Sequence, residues 1–387
     1  MNSQKEILDI IKKMDIYIEK CEYRGYDPYD ALTSPLKLQR FGKYIPLLTM
    51  QALKRLPINV RPLLGIKKDY NPKGLGLLLL SYCNLYEKLG ERKYEEKCHH
   101  LFNIICKLNS PNYKGIGWGY NFPWSSSEKY LEPYTPSSVV TGFIIRGILK
   151  YALVFDSPAA RSVIHDAAEF IDNHIPLIED DTGICFSYTP VQTDICYNAS
   201  LLAAEILAAS YFFSKCEEKR KKIQKAIEFV VHRQLDNGCW HYSENIKQKT
   251  VRKQIDFHQG YIIDSIQNLI SLCELQSQEF DKAIQRGVQF YAREQFEEDG
   301  KPMYRLPKRY PVDVHNLSQG IISLNKFKRH SPEIPPTLSK VVQWGIKHMF
   351  SDRGYFYYRK NKLFTNKIAY MRWSQAWMFL ALSEIIE

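Results

Sequence analysis

Residues 225–272 read KAIEFVVHRQLDNGCWHYSENIKQKTVRKQIDFHQGYIIDSIQNLISL and contain one complete structural unit. In the first part, Ile227, Val230, Val231 and Leu235 have the spacing that places them on one face of a helix. An acidic turn with glycine and the aromatic strip GCWHYSEN follow. The unit ends in FHQGYIIDSIQNLI, which is apolar almost all round, as expected of a helix that is packed on every side. The pattern predicts a hairpin of one outer amphipathic helix and one inner buried helix.

The same unit recurs along the chain. Five aromatic strips, each followed by an apolar helical segment, begin 66, 55, 62 and 54 residues apart. They are GWGYNFPW (117–124), GICFSYTP (183–190), GCWHYSEN (238–245), GKPMYRLP (300–307) and GYFYYRKN (354–361). These spacings fit a helical hairpin with two loops, and stacked hairpins of this kind form repeat architectures.

Two further helical pairs are expected around 5–54 and 71–108, and no run of residues predicts a substantial sheet. The sequence therefore predicts an all-α fold, an (α/α)5–6 toroid or barrel of repeated helical hairpins. We expect a single domain over 1–387, with N-terminal hairpins in 1–109 and the repeats with aromatic strips in 110–387. Such a ring gathers one end of every inner helix around a central cavity.

The composition restricts the partners. The net charge of +11 favours anionic ligands, and no nucleic-acid-binding signature accompanies it. No segment approaches the roughly 18 apolar residues of a membrane span. The first residues do not resemble a secretory signal, and the nine cysteines have no paired spacing. We therefore expect reduced thiols and a cytoplasmic location.

Aspartate and histidine stand together before the inner helices. Asp256 precedes His258 by two residues, and Asp313 precedes His315 in the same way. Aspartate at this position commonly caps a helix, so capping is one interpretation. The other is catalysis, because neutral imidazoles beside carboxylates around one cavity suit proton transfer. The candidate catalytic residues are Asp256, Asp313, His258, His315 and Tyr197.

The aromatic strips favour a sugar ligand over packing alone. Aromatic rings stack on the C–H faces of sugars, and amide and charged groups bind their hydroxyls and acidic substituents. The candidate substrate-binding residues are Trp118, Tyr120, Trp124, Tyr188, Asn198, Trp240, Tyr242, Gln259, Asn316 and Arg372.

KAIEFVVHRQLDNGCW (225–240) resembles the QW motif of the terpenoid cyclase and protein prenyltransferase toroids, and RGVQFYAREQFEEDGKPMY (286–304) is similar to a degenerate copy. The resemblance implies an α/α toroid in which Gln234 ties a helix end to the next turn and Trp240 wedges between hairpins.

The zinc-dependent prenyltransferases of that group place metal ligands in Asp-x-Cys-Tyr and Asp-Phe-x-His motifs. Here Asp194-Ile-Cys196-Tyr197 and Asp256-Phe-His258 are similar, although His258 follows its aspartate by two positions rather than three. The resemblance thus implies a possible zinc site of Asp194, Cys196 and His258. Residues 162–214 contain no Lys or Arg where a diphosphate-binding cluster would be expected.

Three segments resemble bacterial proteins that are associated with surface-polysaccharide gene clusters. They are GYDPYDALTSP (25–35), NPKGLGLLLLSY (71–82) and YTPSSVVTGFIIRGIL (134–149), the last also similar to the helical domain of glucuronyl C5-epimerases. The resemblance implies a role in surface-polysaccharide metabolism. With the candidate carboxylates, histidines and tyrosine, we expect a carbohydrate-active enzyme of hydrolase, lyase or epimerase type that acts on an acidic saccharide. Two alternatives stay open: a zinc-dependent prenyltransferase or terpenoid-cyclase-like enzyme, and a non-catalytic toroid that binds a glycan or a protein.

Overall fold

The structure, a computed structural model, describes residues 4–37, 40–42, 44–125, 130–245 and 248–386. Its described part is mainly helical. The helices are α1 (Gln4–Lys20), α2 (Tyr44–Arg55), α3 (Pro72–Leu89), α4 (Arg92–Lys107), α5 (Ser138–Val154), α6 (Pro158–His174), α7 (Tyr197–Ser214), α8 (Glu217–His232), α9 (His258–Cys273), α10 (Gln278–Glu294), α11 (Val314–Lys326), α12 (Ile334–Met349) and α13 (Trp377–Ile385). A 3₁₀ turn (Asp30–Thr33) and a π-helical segment (Met371–Ala376) complete the helical elements.

Six inner helices form a closed ring in the order α3, α5, α7, α9, α11 and α13, and α13 packs back against α3. Each of the first five packs against the outer helix that follows it in the chain, and α13 packs against α1. The architecture is therefore an (α/α)6 toroid, which confirms the predicted fold class. The expected hairpin around 5–54 is wrong, because α1 pairs with α13 from the other end of the chain and α2 packs beside the 3₁₀ turn.

Local sequence explains where the helices begin and what they bury. Asn71, Ser137, Ser157 and Ser277 each accept a hydrogen bond from a backbone N–H in the first turn of the following helix. The inner helix α7 is buried from Tyr197 to Tyr211 on all sides. The outer helices bury one face only, as their amphipathic sequences predict.

Twelve short strands of two to four residues lie in the described loops. They form five small antiparallel sheets: β1 (Trp124–Ser125) with β2 (Tyr130–Leu131); β3 (Leu177–Asp180) with β4 (Gly183–Phe186); β5 (Ile195–Cys196), β6 (Ser243–Asn245) and β7 (Thr250–Arg252); β8 (Val312–Asp313), β11 (Arg359–Lys360) and β12 (Thr365–Asn366); and β9 (Phe350–Ser351) with β10 (Tyr355–Phe356). β5 and β6 link the loops before α7 and α9, and β8 and β11 link those before α11 and α13. The pairings hold these loops together at the N-terminal end of the inner ring.

The hydrogen bond expected from the QW-like motif is present. Gln234 Nε2 donates to the carbonyl oxygens of Gly238 and of Ala283 in α10, at 2.8 and 2.9 Å. Trp240 is fully buried, and its indole N–H donates to the Val230 carbonyl at 2.8 Å. Gln234 therefore joins one hairpin to the next, and Trp240 fixes the strip against α8.

Polar residues in the first turn of α9 and in the π-helical segment before α13 hold the aromatic strips by their backbones. Gln259 Oε1 accepts from the Trp240 N–H and Gln259 Nε2 donates to the Trp240 carbonyl, both at 2.8 Å. Gln375 makes the same two bonds to Phe356, also at 2.8 Å. These clamps fix each strip against the helix that follows it.

The segment between α1 and α3 forms a cap beside the ring. It has a small core of its own, in which Met50 and Leu53 of α2 pack against Ala31, Leu32 and Ile66. None of the described helices is long and apolar enough to cross a membrane.

Candidate active site

Asp256 and His258 form a dyad at the start of α9. Asp256 Oδ1 lies 2.6 Å from His258 Nδ1 and accepts the His258 backbone N–H at 3.2 Å. Asp256 Oδ2 accepts from Gln254 at 2.6 Å and lies 3.5 Å from Arg305 Nε. Burial by itself raises the pKa of Asp256, but the imidazole and the guanidinium bring it below its usual value. The ionised carboxylate holds the ring through Nδ1, and no described residue is hydrogen-bonded to Nε2.

His315 occupies the equivalent position at the start of α11 and is buried. Its Nε2 shares a short hydrogen bond with the Tyr261 hydroxyl. The ring packs against Phe257, Trp377 and Trp373, with centroids 4.3, 4.5 and 4.7 Å away. The imidazole therefore sits in an aromatic pocket with one nitrogen already bonded.

Electrostatics keeps this second imidazole neutral. Burial lowers the pKa of His315 well below its usual value, and the positive charges of Lys73 and Arg372 lower it further. Its Nδ1 is buried and has no hydrogen-bond partner among the described residues. A substrate group that reached this nitrogen would supply the missing bond.

The two imidazoles belong to one cluster. The Phe257 ring lies between them, with centroids 4.2 Å from His258 and 4.3 Å from His315. The Tyr261 ring contacts both, at 5.5 and 5.8 Å. The sequence indicated both histidines but missed Tyr261, although it lies one helical turn beyond His258 and therefore on the same face of α9.

Lys73, in the first turn of α3, is a functional candidate that sequence reasoning missed. Its ammonium group lies over the rings of Phe143 and Trp377, 4.1 and 5.3 Å from their centroids. Burial lowers its pKa well below the usual value, and Arg372 and Arg146 act in the same direction. No described carboxylate forms an ion pair with it. The signal was a single cation in the otherwise apolar run NPKGLGLLLL (71–80).

Arg372 is buried in a bidentate ion pair with Asp27. The distances are 2.6 Å from Nε to Oδ2 and 2.8 Å from Nη2 to Oδ1. The guanidinium also lies 4.9 and 5.0 Å from the ring centroids of Tyr120 and Trp373. The pair joins the cap to the last inner helical segment.

The Asp313 carboxylate is fully engaged by its neighbours. Oδ2 accepts from Arg359 Nε at 2.6 Å, and Oδ1 accepts from the Trp373 indole N–H at 2.8 Å. Oδ1 also caps α11 through the His315 backbone N–H at 3.0 Å. Both Asp256 and Asp313 therefore cap helices, and each also orders a side chain of the cluster.

The residues of the possible zinc site do not fit a metal centre. The Asp194 carboxylate accepts the Tyr188 backbone N–H at 2.8 Å, and Cys196 Sγ lies 3.2 Å from Asn198 Oδ1. His258 is bonded to its own aspartate, as described above. Within the described ranges, no three His, Cys, Asp or Glu side chains form a group that could hold a metal ion, whereas a catalytic zinc site has three protein ligands.

Tyr197, the fifth candidate catalytic residue, lies in a different network. Its hydroxyl donates to Glu244 Oε1 at 2.5 Å, and the same oxygen accepts from Arg233 Nε at 2.9 Å. Burial raises its pKa, and the bond to the Glu244 carboxylate raises it further. The phenol therefore stays protonated, and its hydroxyl is hydrogen-bonded to Glu244.

The residues predicted to bind substrate divide into two groups. Five hold the architecture or its loops: Trp118, Trp240, Asn198, Gln259 and Asn316. The other five lie near the histidine cluster or at its margin: Tyr120, Trp124, Tyr188, Tyr242 and Arg372. Tyr242 is adjacent to the dyad, with its centroid 4.6 Å from that of His258. Trp124 contacts Tyr29 of the cap at 4.9 Å.

A cleft of about 530 Å³ lies between the cap and the N-terminal end of α3, with Arg372 in its lining. Asp27, Asn71 and Arg372 line it on the buried side, and Lys67 and Lys68 line it on the exposed side. The volume is in the range of small-ligand sites. Arg372 connects this cleft with the cluster, because its guanidinium lies 5.0 Å from the Trp373 centroid and the Trp373 centroid lies 4.7 Å from that of His315.

No protein-family model matches the chain. It is similar in structure to a cellobiose 2-epimerase from Bacillus thermoamylovorans B4167, with a TM-score of 0.63 and 13% identity over 81% of this chain and 88% of that one. A sugar epimerase from a ruminal bacterium matches with a TM-score of 0.64 and 12% identity, covering 83% and 90% of the two chains. A glycosyl hydrolase family 88 protein from Bacteroides vulgatus matches over 100% and 99%, with a TM-score of 0.60 and 11% identity. At these identities the likeness establishes the α/α toroid fold.

Proposed function

We propose that this protein is a carbohydrate-active enzyme that transfers a proton on a saccharide, as an epimerase or a lyase does. The observation that carries the proposal is the pair of imidazoles, His258 and His315, on either side of Phe257 at the mouth of the inner ring. Support also comes from the fold, since the similar structures described above are named as sugar epimerases and a glycosyl hydrolase.

The contacts of the carboxylates argue against hydrolysis by two acids. Such hydrolysis needs a carboxylic acid that stays protonated to serve the leaving group. Asp256 is instead kept ionised, and Asp313 is bound by Arg359 and Trp373. In this proposal the aspartates position and stabilise the groups that move protons.

The roles of the bases follow from their surroundings. His258 takes a proton from a sugar carbon through Nε2, and the Asp256 carboxylate stabilises the imidazolium that forms. His315 is neutral and bonded to Tyr261. In this proposal its Nδ1 gives a proton to the opposite face of the carbon while its Nε2 takes up the proton of the Tyr261 hydroxyl, so the ring stays neutral and the proton held by His258 balances the one lost by Tyr261. Return of a proton to the opposite face of the carbon gives epimerisation, whereas expulsion of a neighbouring oxygen, which takes up the proton, gives elimination.

An acidic saccharide suits the charges around the cluster. The amine of Lys73 has no carboxylate partner in the described structure, and Arg305 reaches Asp256 only at 3.5 Å with its side chain 41% exposed. Arg252 lies 4.7 Å from the Tyr242 centroid. A carboxylate beside the reacting carbon would pair with these guanidinium groups and accept a hydrogen bond from the Lys73 amine, and this neutralisation would make the adjacent C–H proton easier to remove. We assign the substrate to bacterial surface-polysaccharide metabolism in the cytoplasm as part of this proposal.

Hydrogen exchange with solvent tests the proposal. The protein is incubated in D2O with uronate-bearing oligosaccharides and with neutral oligosaccharides of the same length, and ring-carbon deuteration is followed by NMR. We expect either carbon-bound deuterium in the uronate residues, which indicates epimerisation, or the vinyl-proton signal of an unsaturated uronate, which indicates elimination. The rate should be about 10²–10⁴ lower in His258→Gln and His315→Gln, the usual contribution of a general base. His165→Gln is the matched control, because this imidazole is bonded to Ser210 in another part of the ring.

Three results would contradict the proposal. They are hydrolysis without carbon-bound deuterium, full activity of both variants, and binding of the oligosaccharide without exchange or cleavage. The last result would identify a non-catalytic glycan-binding toroid.

A further inference from the structure

Exposed large apolar side chains are concentrated on one part of the surface, and the others are scattered. Most of those in this part belong to residues 36–63 of the cap, and two more form the tip of the hairpin between β11 and β12. They are Leu36 (57% exposed), Phe41 (65%), Tyr44 (71%), Ile45 (41%), Leu48 (61%), Leu56 (39%), Ile58 (70%), Leu63 (86%), Leu363 (93%) and Phe364 (48%). We call this set, with the cations around it, the basic apolar surface.

Helix α2 is apolar on two faces. Met50 and Leu53 are buried in the small core of the cap, whereas Tyr44 and Leu48, one turn apart, point away from it. A helix that covers a core in water normally shows polar residues on its outer face. The outer face of α2 therefore has the composition of a contact surface.

The charges around these side chains have one sign. Between Asp30 and Asp69 the sequence has eight Lys and Arg and no acidic residue, and between Asp352 and Glu384 it again has no acidic residue. The exposed cations in these two segments are Lys37, Arg40, Arg55, Lys67, Lys68, Arg353, Lys362 and Lys367. The positive charge of the chain is thus concentrated where its apolar side chains are exposed.

The two segments are joined in the fold. Asn366 of β12 donates through Nδ2 to the Leu56 carbonyl at 2.9 Å, just after α2 ends. Tyr26 packs both against the small core of the cap and against the cluster of Tyr358, Ile368 and Tyr370. The hairpin tip and α2 therefore belong to neighbouring parts of one face.

We propose that the basic apolar surface docks this protein on an anionic lipid bilayer. Exposed Leu, Ile, Phe and Tyr enter the boundary between headgroups and acyl chains, while Lys and Arg attract anionic headgroups. An acidic polysaccharide would use the cations but would leave these apolar groups in water. A protein partner would bury the apolar groups, but nothing in its recognition requires an uninterrupted positive rim. Only the bilayer uses both features, and the docking is peripheral because none of the described helices can span a membrane.

Vesicle flotation of the full chain tests the proposal. The probes are phosphatidylcholine vesicles with and without phosphatidylglycerol. We expect at least tenfold more bound protein with phosphatidylglycerol, and a progressive loss as salt is raised, because screening weakens the attraction of the headgroups. The triple variant Leu48→Ser, Leu363→Ser, Phe364→Ser and the triple variant Lys37→Gln, Arg40→Gln, Arg55→Gln should each lose at least tenfold in binding.

The control is a double variant, Leu153→Ser with Val191→Ser, which changes side chains that are 49% and 57% exposed elsewhere on the molecule. It should float like the wild type, and circular dichroism of all variants should match. Equal flotation of the wild type and the serine variant would overturn the proposal. Failure of the wild type to float with phosphatidylglycerol vesicles would also overturn it. Self-association through the apolar surface, or retention of an acidic polysaccharide by the cations, would then identify the alternative partner.

Discussion

The buried ion pair between Asp27 and Arg372 holds the cap to the ring, and the structure allows us to predict how much stability is lost when it is broken. Their side chains are 6% and 2% exposed, and two hydrogen bonds of 2.6 and 2.8 Å join them across 345 positions of sequence. Replacement of Asp27 by Asn leaves a buried guanidinium that cannot lose its proton. Breaking a buried pair by removing one partner costs about 3–5 kcal/mol. The aromatic faces of Tyr120 and Trp373 offset part of this, so we expect about 3 kcal/mol.

Urea unfolding measures this change in the free energy of unfolding. It is followed by both ellipticity and tryptophan fluorescence, and coincidence of the two transitions shows that unfolding is two-state. Adding Arg372→Gln to Asp27→Asn should recover part of the loss, because the unpaired charge is then removed. Glu333→Gln is the control, since its pair with Arg293 has side chains 58% and 53% exposed and should contribute less than about 1 kcal/mol. A loss in Asp27→Asn no larger than in this control would refute the reasoning.

Three further outcomes are expected. Burial lowers the pKa of His315, so the unfolded chain binds more protons than the folded one at low pH. The free energy of unfolding should therefore fall as pH drops below about 6.5, by up to about 1.4 kcal/mol per pH unit. His315→Gln should flatten this slope in urea titrations at several pH values. Gly147→Ala places a methyl group 2.5 Å from the Gly76 carbonyl oxygen, so thermal unfolding should show a loss of about 1–3 kcal/mol as α3 and α5 separate, and an unchanged midpoint would contradict this close crossing. Gln259→Ala should lower the free energy of unfolding in urea by about 2 kcal/mol or more, because the buried Trp240 backbone loses both hydrogen-bond partners. Weaker saccharide binding at unchanged stability would instead indicate that Gln259 contacts the substrate directly.

Much of the fold could be predicted because its unit is local. The outer helix, strip and inner helix of residues 225–272 lie within one continuous stretch, so their hydrophobic periods can be counted directly. The Asp-x-His pairs were found for the same reason, since a cap and its helix are neighbours in sequence. The structure places both histidines in one cluster, and it shows that their aspartates cap α9 and α11 as well.

The sequence did not show which polar side chains face the cavity and which bind the backbone. Gln259 and Asn316 were predicted to bind substrate from their residue type, yet both bind the backbone of a strip. A side chain at the end of an inner helix can face the cavity or the preceding loop. Which of the two it faces depends on its angular position around the helix axis, and neighbouring residues differ in that position enough to change the outcome. Sequence spacing alone does not fix that position, because the packing of the neighbouring helices sets it.

By itself, the sequence determined the hairpin unit, its repetition and the positions of the two histidines. Only the tertiary structure decided that α13 closes the inner ring against α3 and pairs with α1, and that the charges of Lys73 and Arg372 act on the imidazole of His315. Closing a ring brings the first and last hairpins together, so it creates contacts between residues that share no local pattern. The neutrality of His315 depends on such contacts, because burial and charges from distant segments set its pKa.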